Sequence, residues 1–350
     1  MRATCPGLIN LYIMYINNNS LHTYSDPKMF INQTPSSNSQ RHLWMDLLRG
    51  LAILLIFLQH SQTFIPIDYR LNVDETILSS INFALSPYRV PLLLILSGIL
   101  LERSLKKDKK TYIEGKIRLI LYPFIIWTFA AYVVRIPYAG NFFTIENFFD
   151  RNPTWYLITI FLCYLIALVP FFKNWLIIPV IMLSALFLLK PDENSIAANL
   201  WFCSFFFIGS ALSSRISYIQ KNIPLLPIIA LGAVFAGSVT YHLIHGYIEQ
   251  NIPTFITTVL GAIFIIWLAP YLTRYKITQP LIWIGQRSII FYVTHMPIIF
   301  ILRRLIYQTN IDNFYIIFII FFIFSITICW IVANNKDKFI WLYEMPKLRK

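Results

Sequence analysis

Residues 314–333 read FYIIFIIFFIFSITICWIVA, a run of twenty residues without a charged side chain. A helix of about 20 apolar residues crosses the hydrocarbon of a bilayer, so this stretch predicts a membrane span. Further apolar segments precede it at about 43–65, 83–101, 117–136, 154–172, 175–189, 200–213, 223–242, 253–271 and 281–301. The sequence therefore predicts an all-α, polytopic membrane helical bundle of about ten transmembrane helices.

The composition excludes a water-soluble domain. Hydrophobic residues make up 57% of the 350 residues and charged residues 13%, against about 45–50% and 25% in soluble domains. The formal net charge is +13, but the basic residues lie in short segments between apolar runs, where they indicate topology. Their alternation predicts that both termini are cytoplasmic. The expected surroundings are membrane lipids, and no nucleic-acid partner is expected.

The chain divides into three parts. Residues 1–40 are polar and rich in Asn and Ser, so we expect a disordered tail or sequence upstream of the true start. Residues 41–335 form the transmembrane domain, and residues 336–350 form a basic cytoplasmic tail. Three of the four cysteines lie inside apolar runs, so neither a disulfide framework nor a metal site is expected. Abundant Ile, Asn and Lys are typical of AT-rich bacterial genomes, and the expected location is the bacterial cytoplasmic membrane.

Ionisable residues inside spans are costly and are functional candidates by default. Arg49 and His60 lie eleven positions apart in the first span, which is three helical turns plus roughly 20°, or about 16 Å along one face. Asp46 lies one turn before Arg49 and can pair with it. A desolvated His60 could accept a proton from an alcohol. The alternative is that Arg49 reaches the inner headgroups and His60 is an ordinary buried histidine.

The second and ninth spans carry further polar residues. Arg89 has no acidic neighbour in the sequence, which favours an anionic ligand, and a simple structural kink is the favoured explanation of the following Pro91. Ser97 precedes Gly98, a pair that permits close helix approach. In the ninth span, the i, i+4, i+7 spacing of Ser288, Tyr292 and His295 predicts one stripe facing the interior, for function or for helix packing. We expect these residues to line one polar cavity shared with Arg49 and His60.

Two weaker signals lie at helix ends. Trp155 opens the fourth span, where an aromatic belt is the ordinary explanation and a cavity wall the alternative. Lys116 and Arg118 open the third span, where cytoplasmic placement of positive charge competes with phosphate binding.

Taken together, these residues resemble the acyltransferase family 3 of integral membrane proteins over about residues 41–335. No single motif among them is specific to this family, but several motifs in the family's order across ten spans form a specific signal. One departure is Leu92-Leu93-Leu94, where the family often carries paired phenylalanines. The resemblance rests on Asp46-x-x-Arg49-Gly50 with His60, Arg89-Val90-Pro91 through Ser97-Gly98, Arg118 with Pro123, Trp155-Tyr156-Leu157, Phe205-Phe206-Phe207-Ile208-Gly209 and Gly285-x-x-Ser288-x-x-x-Tyr292-x-x-His295-x-Pro297.

The resemblance implies transfer of an acyl group, usually acetyl from acetyl-CoA, to a sugar hydroxyl of a surface polysaccharide or lipid-linked glycan. It makes His60 the key catalytic residue, as general base or as acyl carrier, and matches Arg49 and Arg89 to family arginines. Acetyl-CoA would be a co-substrate, with no permanently bound cofactor. We expect Lys116, Arg118 and Arg103 to hold its nucleotide end, with Arg49 near the pantetheine and Asp46 fixing Arg49.

Two other functions fit less well. A membrane glycosyltransferase would use acidic residues of the first outer loop, where Asp68, Asp74 and Glu75 lie. A lipid-linked glycan transporter or flippase would show internal repeats with paired broken helices, and the His60 and His295 regions are not alike.

Overall fold

The computed structural model describes residues 42–66, 77–135, 153–169, 176–185, 195–246 and 250–346. Within these ranges the chain is helical and contains no strand. The first half comprises α1 (Leu43–Thr63), α2 (Ile77–Leu85), α3 (Val90–Ile99), α4 (Leu101–Leu105), α5 (Lys109–Lys116), α6 (Tyr122–Arg135), α7 (Trp155–Ile166) and α8 (Ile177–Ala185). The second half comprises α9 (Ser195–Leu212), α10 (Ile216–Lys221), α11 (Leu225–His245), α12 (Ile252–Leu272), α13 (Gln279–Gln286), α14 (Ser288–Ile306), α15 (Phe314–Asn334) and α16 (Lys336–Phe339).

The helical membrane bundle predicted from the sequence is confirmed. Eight helical stretches among the described residues are long and apolar enough to cross a membrane, at Leu43–Thr63, Ile77–Ile99, Lys109–Val134, Ala197–Lys221, Leu225–His245, Ile252–Leu272, Ser288–Ile306 and Phe314–Asn334. The predicted segments 154–172 and 175–189 correspond to the shorter helices α7 and α8. The predicted tail 1–40 lies outside the described residues.

Helix α1 is the centre of the bundle, since it contacts α2, α3, α12, α13, α14 and α15. Two glycine pairs bring backbones together. A Cβ on Gly285 of α13 would overlap the Asp46 carbonyl oxygen, and one on Gly50 would overlap the Leu281 carbonyl oxygen. Gly98 of α3 and Gly209 of α9 form the equivalent pair. The expectation that Ser97-Gly98 permits close helix approach is therefore confirmed.

Replacing Gly285 with Ala should separate α1 from α13, because the added carbon meets backbone that cannot move alone. We expect a loss of about 1–3 kcal/mol in stability, measured as a lower midpoint of thermal unfolding in detergent. Gly237→Ala in α11 is the matched control, since a Cβ there meets nothing within 4 Å. Equal midpoints for the two variants would contradict this explanation of the close contact.

Three predicted spans are irregular in the middle or at one end. The second is interrupted by a 3-10 turn at Ser86–Tyr88, after which Arg89 leaves helical geometry (φ −79°, ψ −83°) and Pro91 lies in the first turn of α3. The third begins with a π-helical turn at Ile117–Leu121. The prediction of one continuous helix over 281–301 is wrong, because Arg287 (φ −120°, ψ 20°) separates α13 from α14.

Residues 336–346 return to the bundle. The indole of Trp127 donates to the Leu342 carbonyl (3.0 Å), and the Tyr343 hydroxyl lies 2.8 Å from that of Thr294. Burial raises the pKa of Tyr343 to about 12, so the phenol stays protonated and can donate in this pair. The first part of the predicted basic tail is thus packed against α6 and α14.

Candidate functional site

Two cavities lie beside α1, one at each end of its inward face. The first has a volume of about 390 Å³ and contains Arg49; we call it the Arg49 cavity. The second has a volume of about 240 Å³ and contains His60; we call it the His60 cavity. Within the described part of the chain, Tyr292 is the one residue that lines both. The expectation of one shared cavity is therefore corrected to two adjoining cavities.

The Arg49 cavity combines one cation with mostly apolar walls. Arg49 lies 3.6 Å from Asp46, as the i,i+3 spacing predicts, and its side chain is 25% exposed while that of Asp46 is 6% exposed. Ser97 and Ser288 supply hydroxyls. The other side chains around it are largely aliphatic or aromatic: Ile53, Leu93, Leu119, Ile120, Tyr156, Leu157, Ile160, Tyr164 and Ile289. Such a site suits a ligand with an anionic end and a long neutral arm.

The π-helical turn shapes one wall of this cavity, since Leu119 and Ile120 come from it. Lys116 immediately precedes the turn, and its ammonium lies 3.4 Å from the centroid of the Tyr164 ring, a cation-π contact. Tyr164 itself lines the Arg49 cavity. Of the basic residues predicted for a phosphate site, Lys116 is therefore the one adjacent to the cavity.

The other two predicted basic residues lie differently. A guanidinium nitrogen of Arg118 is 2.8 Å from a carboxylate oxygen of Glu344, and the Met345 backbone N–H donates to the Arg118 carbonyl (3.2 Å). Arg118 is therefore paired with the returning C-terminal segment. Arg103 is exposed on α4 and, among the described residues, lines neither cavity.

His60 is paired with His295 from α14. Nδ1 of His60 lies 2.8 Å from Nε2 of His295, and the rings are 7° from parallel. Nδ1 of His295 lies 3.1 Å from the Phe291 carbonyl, which can only accept, so this nitrogen carries the proton in a neutral ring. Nε2 of His295 then accepts from Nδ1 of His60. For two neutral rings, Nε2 of His60 keeps its lone pair.

His295 is fixed by its surroundings. It is fully buried, and the Phe57 ring stacks on it with centroids 4.8 Å apart. His60 is half-buried and opens into its cavity. The pair therefore consists of a rigid inner imidazole and an outer imidazole that a ligand can reach.

Arg89 lines the His60 cavity while being only 2% exposed. It donates to the backbone carbonyl and the side-chain oxygen of Asn82, which in turn donates to Gln62, and Gln62 donates to Ser79. Its Nε is buried without a hydrogen-bond partner. Among the described residues Arg89 forms no ion pair, so a buried cation with neutral partners faces the cavity.

The remaining walls are aromatic or carry amides. Trp155 packs against Phe202 with centroids 4.7 Å apart, and Gln59, Trp201 and Gln250 complete the polar side. The indole nitrogen of Trp201 and Oε1 of Gln250 are buried without hydrogen-bond partners. The sequence analysis missed Trp201, Phe202 and Gln250. Trp201, near the start of the apolar segment 200–213, was the sequence feature that could have indicated this wall of the cavity.

Two further points concern a metal site and the glycosyltransferase alternative. Within the described ranges, no group of three or more His, Cys, Asp or Glu residues could hold a metal ion. Asp68, Asp74 and Glu75, which the glycosyltransferase alternative requires, lie outside the described residues.

Comparison with known protein families identifies the family of the chain. Residues 42–334 match the family model of the family 3 acyltransferase domain, which covers most of the chain. No curated protein and no solved structure gives a match. The matched range includes both cavities and ends just before the returning C-terminal segment. The chain therefore belongs to the acyltransferase family 3 and is a multi-pass membrane acyltransferase.

Proposed function

We propose that the protein transfers an acetyl group from acetyl-CoA to a sugar hydroxyl of a surface polysaccharide or lipid-linked glycan. The observation that carries this proposal is the adjacency of two unlike cavities, one with a cation and apolar walls, the other with an available imidazole nitrogen. A thioester donor and an alcohol acceptor need such separate sites that meet at one reacting centre.

The Arg49 cavity suits the donor. CoA has a polyanionic nucleotide end and a long neutral arm, and the cavity offers Arg49 and the nearby Lys116 beside apolar walls. Asp46 holds Arg49 at the cavity. We place the basic ends of the helices in the cytoplasm, so that acetyl-CoA enters from there and stays a co-substrate that leaves after each cycle.

The His60 cavity suits the acceptor. Sugar rings present hydroxyls around apolar C–H faces, and this cavity combines the Trp155 and Phe202 rings with the amides of Gln59 and Gln250. The partnerless indole N–H of Trp201 is a further donor for a hydroxyl. By the same topology the acceptor lies toward the outer face of a bacterial cytoplasmic membrane.

The chemical step uses His60 as general base. Nε2 of His60 takes the proton of the acceptor hydroxyl as the oxygen attacks the thioester carbonyl. The C–O bond forms, the C–S bond breaks, and the CoA thiolate recovers a proton from the imidazolium. His295 holds the His60 ring through Nδ1 and stabilises the imidazolium. Arg89 stabilises the oxyanion that develops during attack.

The test is transfer of label from radiolabelled acetyl-CoA to glycan in membranes that contain the full chain. The proposal expects label in the glycan fraction and release of free CoA in equal amounts. A flippase would move glycan across the membrane without label. A glycosyltransferase would extend the glycan without consuming acetyl-CoA, and either result would overturn the proposal.

A Glu344→Gln variant should release Arg118 for the donor, because it removes the carboxylate now paired with that guanidinium. We expect the KM for acetyl-CoA to fall about twofold to fivefold, the range of an exposed ion pair, with less effect at high salt. Glu114→Gln is the matched control, since it removes one charge from the exposed pair Lys110–Glu114. A KM unchanged in Glu344→Gln would show that Arg118 only anchors the C-terminal segment.

A further inference from the structure

Tyr292 stands between the two cavities. It lies in α14 one turn before His295, is 5% exposed, and lines both the Arg49 cavity and the His60 cavity. Its ring therefore lies at the boundary between them. Arg49 lines one cavity and His60 the other, so Tyr292 is the side chain that ligands in both cavities would contact.

The ring is held at its edges. Its hydroxyl donates to the Pro153 carbonyl at 3.3 Å, near the upper limit of a hydrogen bond. Tyr156 meets it edge to face with centroids 5.2 Å apart, and the His295 ring lies 6.0 Å away. The hydrogen bond to Pro153 and these ring contacts hold the ring in place where the two cavities adjoin.

The Arg49 cavity also has aliphatic side chains in its walls. Ile53, Leu93 and Ile289 line this cavity together with Tyr292. An acyl chain bound in this cavity would contact these side chains and the tyrosine ring, so the bulk of that ring would limit how many carbons fit.

We propose that Tyr292 is the residue that sets the length of the acyl chain transferred and that keeps water in the His60 cavity from the thioester. This inference rests on the proposed function and deepens it. The bonds made and broken are those of the transfer step above; when water replaces the sugar hydroxyl, the products are the free acid and CoA. The size of the side chain at position 292 decides both the length of the acyl chain that is transferred and the access of water to the thioester.

Membranes with the full chain are given acetyl-CoA and, separately, hexanoyl-CoA, and both transfer to glycan and total CoA release are measured. For Tyr292→Ala we expect the ratio of hexanoyl to acetyl transfer to rise at least tenfold, the lower end of what a pocket gains per added methylene. CoA release without glycan labelling should also rise. Tyr292→Phe keeps the ring and should keep the wild-type ratio, and Tyr292→Leu should fall between.

Phe202→Ala is the matched control, because it also removes a ring but lines only the His60 cavity. It should leave the ratio of hexanoyl to acetyl transfer unchanged, even where it weakens binding of the acceptor. An unchanged ratio in both Tyr292→Ala and Tyr292→Leu would overturn the inference, and so would an equal rise in Phe202→Ala. Absence of any transfer by the wild-type chain would instead overturn the proposed function, so the two failures are distinguishable.

Discussion

His60→Gln is expected to lower acyl transfer by a factor of about 10³, within the range that a general base contributes. Glutamine keeps the polar volume and removes the nitrogen lone pair that faces the cavity. His295→Phe should cost less, about 10- to 100-fold, because the base remains while its orienting hydrogen bond is lost. The measurement is the initial rate of label transfer from acetyl-CoA to glycan, normalised to inserted protein.

His245→Gln is the control for this pair. His245 is exposed at the end of α11, stacks on Tyr241 and lines neither described cavity. Its replacement should leave the rate unchanged. If the His60→Gln variant retains more than about a tenth of the wild-type rate at normal insertion, His60 is not the base.

Arg89→Met is expected to lower kcat about 10²- to 10³-fold, the range for loss of one preorganised group that stabilises an oxyanion. Methionine fills much of the same volume and removes the cation. Because Arg89 lies in the His60 cavity, the KM for acetyl-CoA should change little. Arg89→Lys should recover part of the rate, since a lysine keeps the positive charge but lacks the planar guanidinium group.

Arg304→Met is the matched control, because Arg304 is exposed at the far end of α14. The thermal midpoint in detergent is measured for all three variants. A variant Arg89→Met that folds normally and keeps its kcat would remove Arg89 from the chemistry. A fall in the midpoint with kcat preserved in the folded fraction would assign Arg89 to the Asn82 and Gln62 network alone.

Much of the central helix could be predicted from the sequence. The eleven-residue spacing places Arg49 and His60 on one face, and the i,i+3 spacing pairs Asp46 with Arg49, because both depend only on helical geometry. The stripe of Ser288, Tyr292 and His295 follows from the same geometry. Ser288 and Tyr292 line the Arg49 cavity, whereas His295 is buried behind His60 and lines neither described cavity. The periodicity of the sequence is sufficient to predict which side chains share a face when they all lie on one helix.

Contacts between distant segments could not be predicted. His60 meets His295 across 235 positions, and Arg118 meets Glu344 across most of the chain. The break at Arg287 also depends on neighbours, because the close approach of Gly285 to the Asp46 backbone fixes α13 against α1. These features follow from tertiary packing, which overrides the apolar run that predicted a single helix.

The division into two cavities is a further result of tertiary packing. The sequence predicts polar residues on inward faces, but it does not reveal that they line two spaces that have Tyr292 in common. Under the proposed function, this division places donor and acceptor on different sides of a residue that lines both cavities.

The most direct test labels each cavity separately. In a Cys5→Ser background, where Cys163, Cys203 and Cys329 are buried, the variants Ser97→Cys and Gln59→Cys place a thiol in the Arg49 cavity and the His60 cavity, respectively. Acetyl-CoA is predicted to slow maleimide labelling of the Ser97→Cys variant several-fold and to leave the Gln59→Cys variant largely unprotected. Protection of the Gln59→Cys variant alone, or of neither variant in membranes that still transfer acetyl groups, would contradict the assignment of the donor to the Arg49 cavity.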